Sequence, residues 1–526
     1  MPAKYDVIVI GGGHNGLTNA AYLARAGRKV LVLERRYVLG GAAVTEEIFP
    51  GFKFSVCSYV VSLLRPEVIR DLELPRHGLE ILPLDGTFTP MPNGDYLWRM
   101  DDHGRSIREI ARHSRVDAEA YEEFGVAMTQ MCRFVKPLLE MVPPDPASFN
   151  PRDLLKLLFL GRRFRDLSMD DRYNQIQLMT MSAADFLDGW FETDVLKGTM
   201  SASGIIGTLL GVRSPGTAYV LLHHYMGEID GAFRAWGLAR GGTGAISLSI
   251  AGAAREAGVE IRTEAPVAKI LVKEGRACGV VLENGDEIAA DVVSSSVDPN
   301  LTFLKFIGAD HLETDFLEEV RRYKYRGSSG KVNMALDALP DFTSLPGPGA
   351  HLRGAMSISP SVEYMERAYD DAKYGRFSRR PYIDMVIPTL TDPSLAPPGK
   401  HVLSCFVQYA PYHLREGNWD DRREEFGDTV VDTIAQFAPN IRDVILHRQV
   451  VTPLDLERDF GLTEGNIFQG ELSLEQLFFL RPVPGWARYR TPVRNLYMCG
   501  SATHPGGGIM AANGRIAALE ILKDTP

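Results

Sequence analysis

The chain opens with two apolar runs separated by a longer helical segment. Residues 5–10, YDVIVI, are mostly β-branched and apolar, which is typical of a buried parallel strand. Residues 17–26 predict a helix, and residues 29–33 predict a second buried strand. A strand, a helix and a strand in this order predict a βαβ unit, from which parallel sheets are built.

Related patterns return far downstream. Residues 245–257 predict a helix that leads into a meander with turns at Gly275 and at Asn284-Gly285. Residues 495–521 read as a strand, a glycine-rich loop and a final helix. The strands of the meander are predicted at residues 259–263, 267–272, 279–283 and 287–294.

The first strand and helix are joined by GGGHNG, a G-x-G-x-x-G motif. Gly11 permits the tight turn, Gly13 lets the backbone approach a pyrophosphate, and Gly16 lets the helix pack closely on the strand. Glu34 ends the second strand, where a carboxylate accepts hydrogen bonds from ribose hydroxyls and disfavours a 2′-phosphate. The motif predicts a dinucleotide at the helix N-terminus and by itself allows NAD or FAD.

Charge and cysteine usage narrow the possible functions. A net charge of -10 over 526 residues argues against a nucleic-acid partner, because phosphate binding needs clustered positive charge. The five cysteines form no CxxC pair, which favours free thiols and a cytoplasmic location. No secretory signal or membrane-spanning stretch is predicted. Residues 151–167 mix leucines with arginines, which is typical either of an ordinary packed helix or of a peripheral membrane contact.

Several further motifs, spread over nearly the whole chain, carry a family resemblance. They are GGAAVT at 40–45, APPG at 396–399, YAPY at 409–412, GNI at 465–467, LRP at 480–482 and THPGGG at 503–508. Together they resemble the phytoene desaturase-like flavoproteins, closest to the β-carotene ketolase branch. That group has the glutathione reductase-like fold of the amine oxidase superfamily.

The resemblance implies one FAD, held by an α/β Rossmann-type domain that is discontinuous in sequence. This domain would comprise residues 1–75, 231–300 and 481–526, with residues 76–230 and 301–480 forming an α+β substrate domain facing the substrate and any membrane. Many relatives carry Arg where Ala42 stands, which leaves Arg35 or Arg36 as a candidate for the pyrophosphate charge. The cofactor-binding residues are expected to be Gly11, Gly13, His14, Asn15, Gly16, Glu34, Arg35, Gly40, Gly41, Ala42, Val267, Gly500, Ser501, Ile509 and Met510.

The role of each distal residue also follows from the resemblance. Val267 would set its backbone against the adenine, and Gly500 and Ser501 would lie near the ribityl chain. Ile509 and Met510 would donate amide hydrogens to the flavin pyrimidine ring from a helix N-terminus, which stabilises negative charge on reduced flavin.

The implied chemistry is hydride removal from an apolar substrate, with oxygen or a quinone as the electron acceptor. Ser58, Tyr409 and His504 are the catalytic candidates on the substrate side. No metal site is predicted, because His223-His224 has no carboxylate or cysteine at ligand spacing.

Three functions remain open at this point. The first is an FAD-dependent desaturase or ketolase acting on a carotenoid-like polyene or another lipid. The second is an amine oxidase-like enzyme acting on a smaller amine. The third is a non-catalytic prenyl-lipid carrier or assembly factor. The sequence leaves the oligomeric state, including a homo-oligomer, undetermined.

Overall fold

A computed structural model describes residues 4–229, 232–233 and 235–526, so the predicted boundary at residue 231 lies outside the described residues. The strands are β1 Tyr5–Ile10, β2 Val30–Leu33, β3 Thr45–Phe49, β4 Phe52–Ser55, β5 Ile81–Pro83, β6 Gly86–Pro90, β7 Tyr96–Met100, β8 Glu228–Ile229, β9 Ala232–Phe233, β10 Gly237–Ala239, β11 Glu260–Arg262, β12 Val267–Lys273, β13 Arg276–Leu282, β14 Glu287–Ser295, β15 Ser329–Leu336, β16 Ala355–Ile358, β17 Tyr382–Val386, β18 His401–Gln408, β19 Ile445–Val451 and β20 Leu496–Met498. The helices are α1 His14–Arg25, α2 Pro66–Asp71, α3 His103–Ala111, α4 Arg115–Val135, α5 Pro151–Arg165, α6 Met169–Thr180, α7 Ala183–Asp188, α8 Asp194–Ser201, α9 Thr217–Tyr225, α10 Gly244–Glu256, α11 Thr314–Arg322, α12 Val362–Lys373, α13 Trp419–Ala435, α14 Ile441–Val444, α15 Pro453–Phe460 and α16 Ala512–Asp524.

The first sheet contains the predicted βαβ unit. Its strand order is β11-β2-β1-β14-β13-β12, with β20 paired to β14. The strands β11, β2, β1, β14 and β20 run parallel, whereas β12, β13 and β14 form an antiparallel meander. All four residues of β2 are buried, as expected for a parallel strand covered on both faces. The predicted α/β fold of Rossmann type is therefore confirmed.

Three helices cover one face of this sheet. The helix α1 lies between α10 and α16, and its apolar side chains share one core with both. Asn19 Nδ2 donates to the Gly514 carbonyl oxygen at 3.1 Å, which joins the first helix of the chain to the last. Segments from the start, the middle and the end of the sequence therefore form one layered unit around β1.

The second sheet has seven strands in the order β19-β15-β18-β17-β16-β6-β7. Its strands come from residues 86–100 and 329–451. One face packs on α13 through Phe426, Val430 and Ile434, which belong to a second hydrophobic core. The opposite face carries many polar side chains and borders a cavity beneath α4 and α9.

The helix α5 covers the predicted apolar and basic segment. Within it only Asp153 is buried, where it forms an ion pair with Arg488. Leu154, Leu155 and Leu158 are exposed, with Leu155 at 66% and Leu158 at 54%, and Phe149 just before the helix is 92% exposed. The opposite face of the helix is partly buried, and Phe164 on that face packs against Phe134 of α4, so packing on the protein and a membrane contact both stay predictions for this segment.

No helix in the described ranges is long and apolar enough to cross a bilayer.

Candidate active site

A cavity of about 430 Å³ runs along the carboxyl ends of β1 and β2. It is the crevice where open parallel sheets bind their ligands. The amide of Leu17 donates to the Gly13 carbonyl, so this bond closes the first turn of α1. The preceding amides of α1 are left for an anion, because Gly13 provides no side-chain cap. The cavity wall includes Gly11, Gly13, His14, Asn15, Glu34, Arg35, Gly40, Gly41, Ala42, Val267 and Ser501.

Two of the predicted glycines are fixed by close packing. A Cβ at position 16 would lie 2.1 Å from the Gly11 carbonyl oxygen, so the tight packing of α1 on β1 requires glycine. A Cβ at position 500 would lie 2.4 Å from the Ser296 carbonyl oxygen. Gly13 differs, because the nearest atom to such a Cβ would be 3.9 Å away. The space beside Gly13 therefore fits the predicted approach of a pyrophosphate.

Glu34 lies at the other side of the glycine turn. Its Oε2 accepts a hydrogen bond from the Gly12 amide at 2.7 Å, and its Oε1 accepts one from the Arg36 amide at 2.9 Å. Both bonds hold the buried carboxylate at the cavity wall. Each carboxylate oxygen keeps a second lone pair, so a ribose hydroxyl can still donate to this group.

The two arginines after Glu34 take different positions. Arg35 lines the cavity, and its Nη2 donates to the Arg458 carbonyl at 3.0 Å. Arg36 forms an ion pair with Glu46 at 3.0 Å and lies over the Phe460 ring. Arg36 is paired with Glu46, whereas Arg35 donates only to a backbone carbonyl among the described residues. Arg35 is therefore the better candidate to balance the pyrophosphate charge near Ala42.

The distal cofactor residues divide into two groups. Val267 borders the cavity where β12 begins, and the Ser501 hydroxyl accepts a hydrogen bond from Asn15 Nδ2 at 3.1 Å. Ile509 and Met510 are buried but lie before the last helix, which begins at Ala512. Ile509 has φ 56°, so its backbone is left-handed rather than helical. Ile509 and Met510 therefore precede the helix N-terminus instead of forming it, which corrects their predicted position, and their contact with the flavin stays a prediction.

The three catalytic candidates lie apart from one another. His504 is buried, and its Nε2 is 2.6 Å from the Leu138 carbonyl oxygen. Tyr409 is fully buried and donates to the Leu210 carbonyl at 2.7 Å. The Ser58 hydroxyl is 3.1 Å from the Ala42 carbonyl oxygen and 3.0 Å from Thr243 Oγ1. Ser58 is the one of the three that touches the glycine-pair loop beside the cofactor cavity.

A second cavity, of about 590 Å³, lies between the second sheet and the helices α4 and α9. Its lining is rich in aromatic rings. The ring of His224 stacks between Trp236, with centroids 6.4 Å apart, and Phe468, at 6.0 Å. Burial lowers the pKa of His224 to about 4, so this imidazole is neutral near pH 7. The aromatic members of the wall are Tyr59, Tyr121, His224, Tyr225, Trp236 and Tyr382.

Buried charged groups lie at the sheet side of this cavity. The Tyr59 hydroxyl donates to Asp384 Oδ2 at 2.6 Å, and burial raises the pKa of Asp384 to about 6. Lys331 Nζ lies 5.1 Å from the Tyr59 ring centroid and donates to Ser404 Oγ at 2.5 Å. Burial lowers the pKa of Lys331 to about 8. No motif in the sequence marks these groups, although charged residues within predicted buried strands are a usable signal.

Two chain segments bring the cavities together. Ser58 contacts the glycine-pair loop of the cofactor cavity, while the next residue, Tyr59, lines the second cavity. Ile467 borders the cofactor cavity, while the following Phe468 stacks on His224 of the second cavity. The isoalloxazine end of a bound FAD would therefore meet the second cavity near Tyr59 and His224.

Arg481 holds the second of these segments in place. Its guanidinium is fully buried and donates only to backbone carbonyl oxygens, including that of Ser501 at 2.9 Å and that of Phe468 at 2.9 Å. It also reaches the carbonyls of Gly470, Glu471 and Gln476. Arg481 is thus a structural clamp between the cofactor wall and the Phe468 segment.

These features fit FAD. The open face of Gly13, the uncapped start of α1, Glu34 and the Asn15–Ser501 contact form a continuous wall for an adenosine diphosphate with a ribityl chain. The buried Asn15 Oδ1 and His14 Nε2 have no hydrogen-bond partner among the described residues, so both can serve a ligand.

Comparison with known proteins gives three relatives by sequence. Pyridine nucleotide-disulfide oxidoreductase domain-containing protein 2 of Rattus norvegicus is 42% identical, over 100% of this chain and 94% of the relative. A subunit of limonene dehydrogenase from Castellaniella defragrans is 28% identical, over 99% and 94%. Prolycopene isomerase 2 of an Oncidium hybrid cultivar is 26% identical, over 97% and 82%.

Solved structures share the fold. An oxidoreductase from Methanosarcina mazei has a TM-score of 0.61 at 18% identity, covering 99% of this chain and 100% of that one. Putrescine oxidase bound to putrescine has a TM-score of 0.58 at 17% identity, with 99% of each chain covered.

Family comparison agrees with the geometry of the cofactor cavity. Residues 9–72 match the NAD(P)-binding Rossmann-like domain. Residues 152–522 match the family described as flavin containing amine oxidoreductase. FAD is therefore the cofactor that the cavity serves. Because the second match spans well over half of the 526 residues, the chain belongs to the flavin-containing amine oxidoreductase family.

Proposed function

We propose that this protein is an FAD-dependent oxidoreductase that removes a hydride from a largely apolar, isoprenoid-type lipid. The observation that carries the proposal is the aromatic cavity of about 590 Å³ that meets the cofactor cavity near Tyr59 and His224. Aromatic walls of this kind bind apolar compounds, and their buried position excludes water from the reacting carbon. The phytoene desaturase-like assignment belongs to this proposal.

FAD, when bound, supplies the two-electron acceptor for the hydride. The substrate loses two hydrogens, one as a hydride and one as a proton, and the two electrons then reduce oxygen to hydrogen peroxide or a quinone to a quinol. The chain's own groups orient the substrate and receive the proton. We assign the proton to the Asp384 carboxylate, which the Tyr59 hydroxyl holds at 2.6 Å.

The names of two relatives support an isoprenoid substrate. One is named for limonene and one for prolycopene, and the chain aligns with each over nearly its full length. Both names refer to hydrocarbons without a basic nitrogen. This is the reason for placing an isoprenoid lipid ahead of an amine.

A peripheral membrane contact through α5 completes the proposal. The exposed leucines of this helix lie beside Arg152, Arg162, Arg163 and Arg165, and only Asp153 among its residues is buried. Exposed apolar side chains flanked by arginines suit the interface of an anionic bilayer. A lipid substrate held in such a bilayer could then enter the protein from that surface.

Oxidation of a smaller amine is the second candidate. Asp384 favours it, because a carboxylate between aromatic rings also suits an ammonium group. The two functions use the same FAD and the same cavity, and they differ only in the substrate.

Turnover of the purified holoenzyme separates the two candidates. The protein is incubated with limonene, a carotene, retinol, putrescine and cyclohexylamine, each with oxygen or a soluble quinone. We expect dehydrogenated isoprenoid products and no product from either amine. Peroxide release with the amines alone would transfer the assignment to amine oxidation. A holoenzyme that oxidises none of the compounds with either acceptor would favour a carrier function.

A further inference from the structure

The cavity-side face of the second sheet is unusually polar for a buried surface. Lys331, Phe406, Asp384 and Ser357 lie directly opposite one another on β15, β18, β17 and β16. Cross-strand partners share a face of the sheet, so this row points toward the cavity. Buried strand faces are ordinarily apolar, and each polar group on them needs a partner. The sheet therefore presents polar side chains to a buried cavity.

Arg99 on β7 belongs to the same face. It lies opposite Thr87 on β6, and Thr87 lies opposite Ala355 on β16. Ser357 of the polar row is two residues after Ala355 and so lies on the same face of β16. Arg99 is only 8% exposed and lines the cavity. Its guanidinium has no hydrogen bond or ion pair with the residues that the structure describes, and its Nε is buried without a partner.

An unpaired guanidinium in such a place is energetically costly. Arginine stays charged in proteins, and burying a charge without a counter-ion is strongly unfavourable. The nearest carboxylate on this face is Asp384 on β17, three strands from β7; the charge of Arg99 opposes the rise that burial causes in the pKa of Asp384, but no ion pair joins the two side chains. Asp384 is already hydrogen-bonded to Tyr59. A ligand that brings its own negative charge would remove the cost at Arg99.

The charge balance of the lining restricts the anion. Besides His224, which is neutral near pH 7, the described lining residues contain two basic side chains, Arg99 and His103, and two acids, Asp101 and Asp384. His103 and Asp101 are exposed, so they mark the open end of the cavity. Among these described lining residues Arg99 is the one buried cation, since Lys331 lies behind the Tyr59 ring; a single cation suits a monoanion, and a guanidinium matches the geometry of a carboxylate with two parallel hydrogen bonds. A diphosphate carries more negative charge than the described lining residues can balance.

We infer that Arg99 binds the carboxylate of the substrate, which is an apolar chain with an acid at one end. The acid lies on the β7 side, and the apolar chain extends past Thr87 and Ser357 toward Tyr59 and His224, where the cavity meets the cofactor site. The inference rests on the proposed function for its reaction, and it adds the substrate class. It also makes Arg99 a residue that fixes which carbon reaches the cofactor.

Equilibrium binding to the holoenzyme tests this without turnover. Retinoic acid, its methyl ester and retinol are titrated against wild type, Arg99→Gln and Arg99→Lys, and the dissociation constants are measured by calorimetry. Arg105→Gln, which changes an exposed arginine on α3, is the matched control. We expect wild type and the control to bind the acid at least about tenfold more tightly than the ester, as a charged hydrogen bond predicts. Arg99→Gln should lose this preference while still binding the ester, and Arg99→Lys should keep part of it.

Equal affinity of wild type for acid and ester would overturn the inference, as would a preference that persists in Arg99→Gln. If Arg99→Gln does not fold, the comparison of acid with ester in wild type and in Arg99→Lys decides. The two proposals fail separately. Tight binding of the acid without flavin reduction would support carboxylate binding at Arg99 and contradict the proposed oxidation. Flavin reduction by neutral isoprenoids alone would support the oxidation and contradict carboxylate binding at Arg99.

Discussion

Gly500 lies where β20 leads into the terminal loop beside the cofactor wall. Its need for glycine follows from the 2.4 Å that would separate a Cβ from the Ser296 carbonyl oxygen, since backbone cannot yield as a side chain can. Gly11, Gly16 and Glu34 could be predicted from sequence because they act on backbone within the first βαβ unit. Tyr59, Asp384 and Arg99 could not, because sheet pairing brings them together from distant segments.

Gly500→Ala is expected to reduce FAD content at purification to below half of wild type. The added methyl group forces β20 away from the Ser296 segment, at a cost of about 1–3 kcal/mol. Flavin absorbance per protein measures the effect. Gly161→Ala is the control, because no atom lies within 4 Å of the new Cβ. Full flavin content in Gly500→Ala would show that the loop does not shape the cofactor site.

The buried Lys331 predicts how the free energy of unfolding depends on pH. Because burial lowers its pKa to about 8 from 10.5, the unfolded chain binds a proton between these values that the folded chain has lost. The free energy of unfolding therefore gains a contribution as the pH rises from 8, which reaches about 2 kcal/mol near pH 9.5. Urea unfolding near pH 7 and near pH 9.5 should show this gain in wild type and in Lys331→Met no such gain. Lys273→Met, at an exposed position, should behave like wild type.

At the scale of elements, the first sheet could be predicted almost completely, and the last helix only in part. Buried parallel strands have a strong local signature, so β1, β2 and the meander lie within a few residues of their predicted bounds. The helix α16 begins at Ala512 because Ile509 and Ala511 take left-handed backbone conformations that no apolar pattern encodes. Tertiary contacts of the terminal loop decide this boundary.

The Arg481 clamp predicts a change in loop mobility. Arg481→Met removes the donors to the carbonyls of Ser501, Phe468 and three neighbours, at about 3–5 kcal/mol by analogy with a broken buried ion contact. Hydrogen exchange across residues 467–480 should rise well above wild type, and FAD should dissociate faster. Arg321→Met on the exposed end of α11 is the control. Unchanged exchange in this segment would contradict the clamp.

The exposed face of α5 predicts binding to anionic vesicles. Leu155→Glu combined with Leu158→Glu should abolish co-sedimentation with phosphatidylserine vesicles, because both side chains are exposed and each Glu repels the anionic surface. Leu248→Glu, exposed at 53% on α10, is the matched control and should sediment like wild type. Wild-type protein that stays in the supernatant would refute the contact.

At the scale of the whole molecule, two sheets enclose two cavities that meet around Tyr59 and Phe468. The chain crosses between the sheets repeatedly, so no single segment contains the complete site. This is why motifs identified the cofactor but not the shape of the substrate cavity. The family match shows the oxidoreductase class, whereas the substrate is proposed from the shape and lining of the cavity.

Anaerobic flavin bleaching shows directly whether the bound FAD oxidises an isoprenoid compound or an amine. The holoenzyme is mixed without oxygen with limonene, a carotene, retinol, retinoic acid and putrescine in turn, and the main visible absorbance band of the flavin is followed. We expect loss of this absorbance with at least one isoprenoid compound and no change with putrescine. Bleaching by putrescine, with every isoprenoid compound inert, would contradict it.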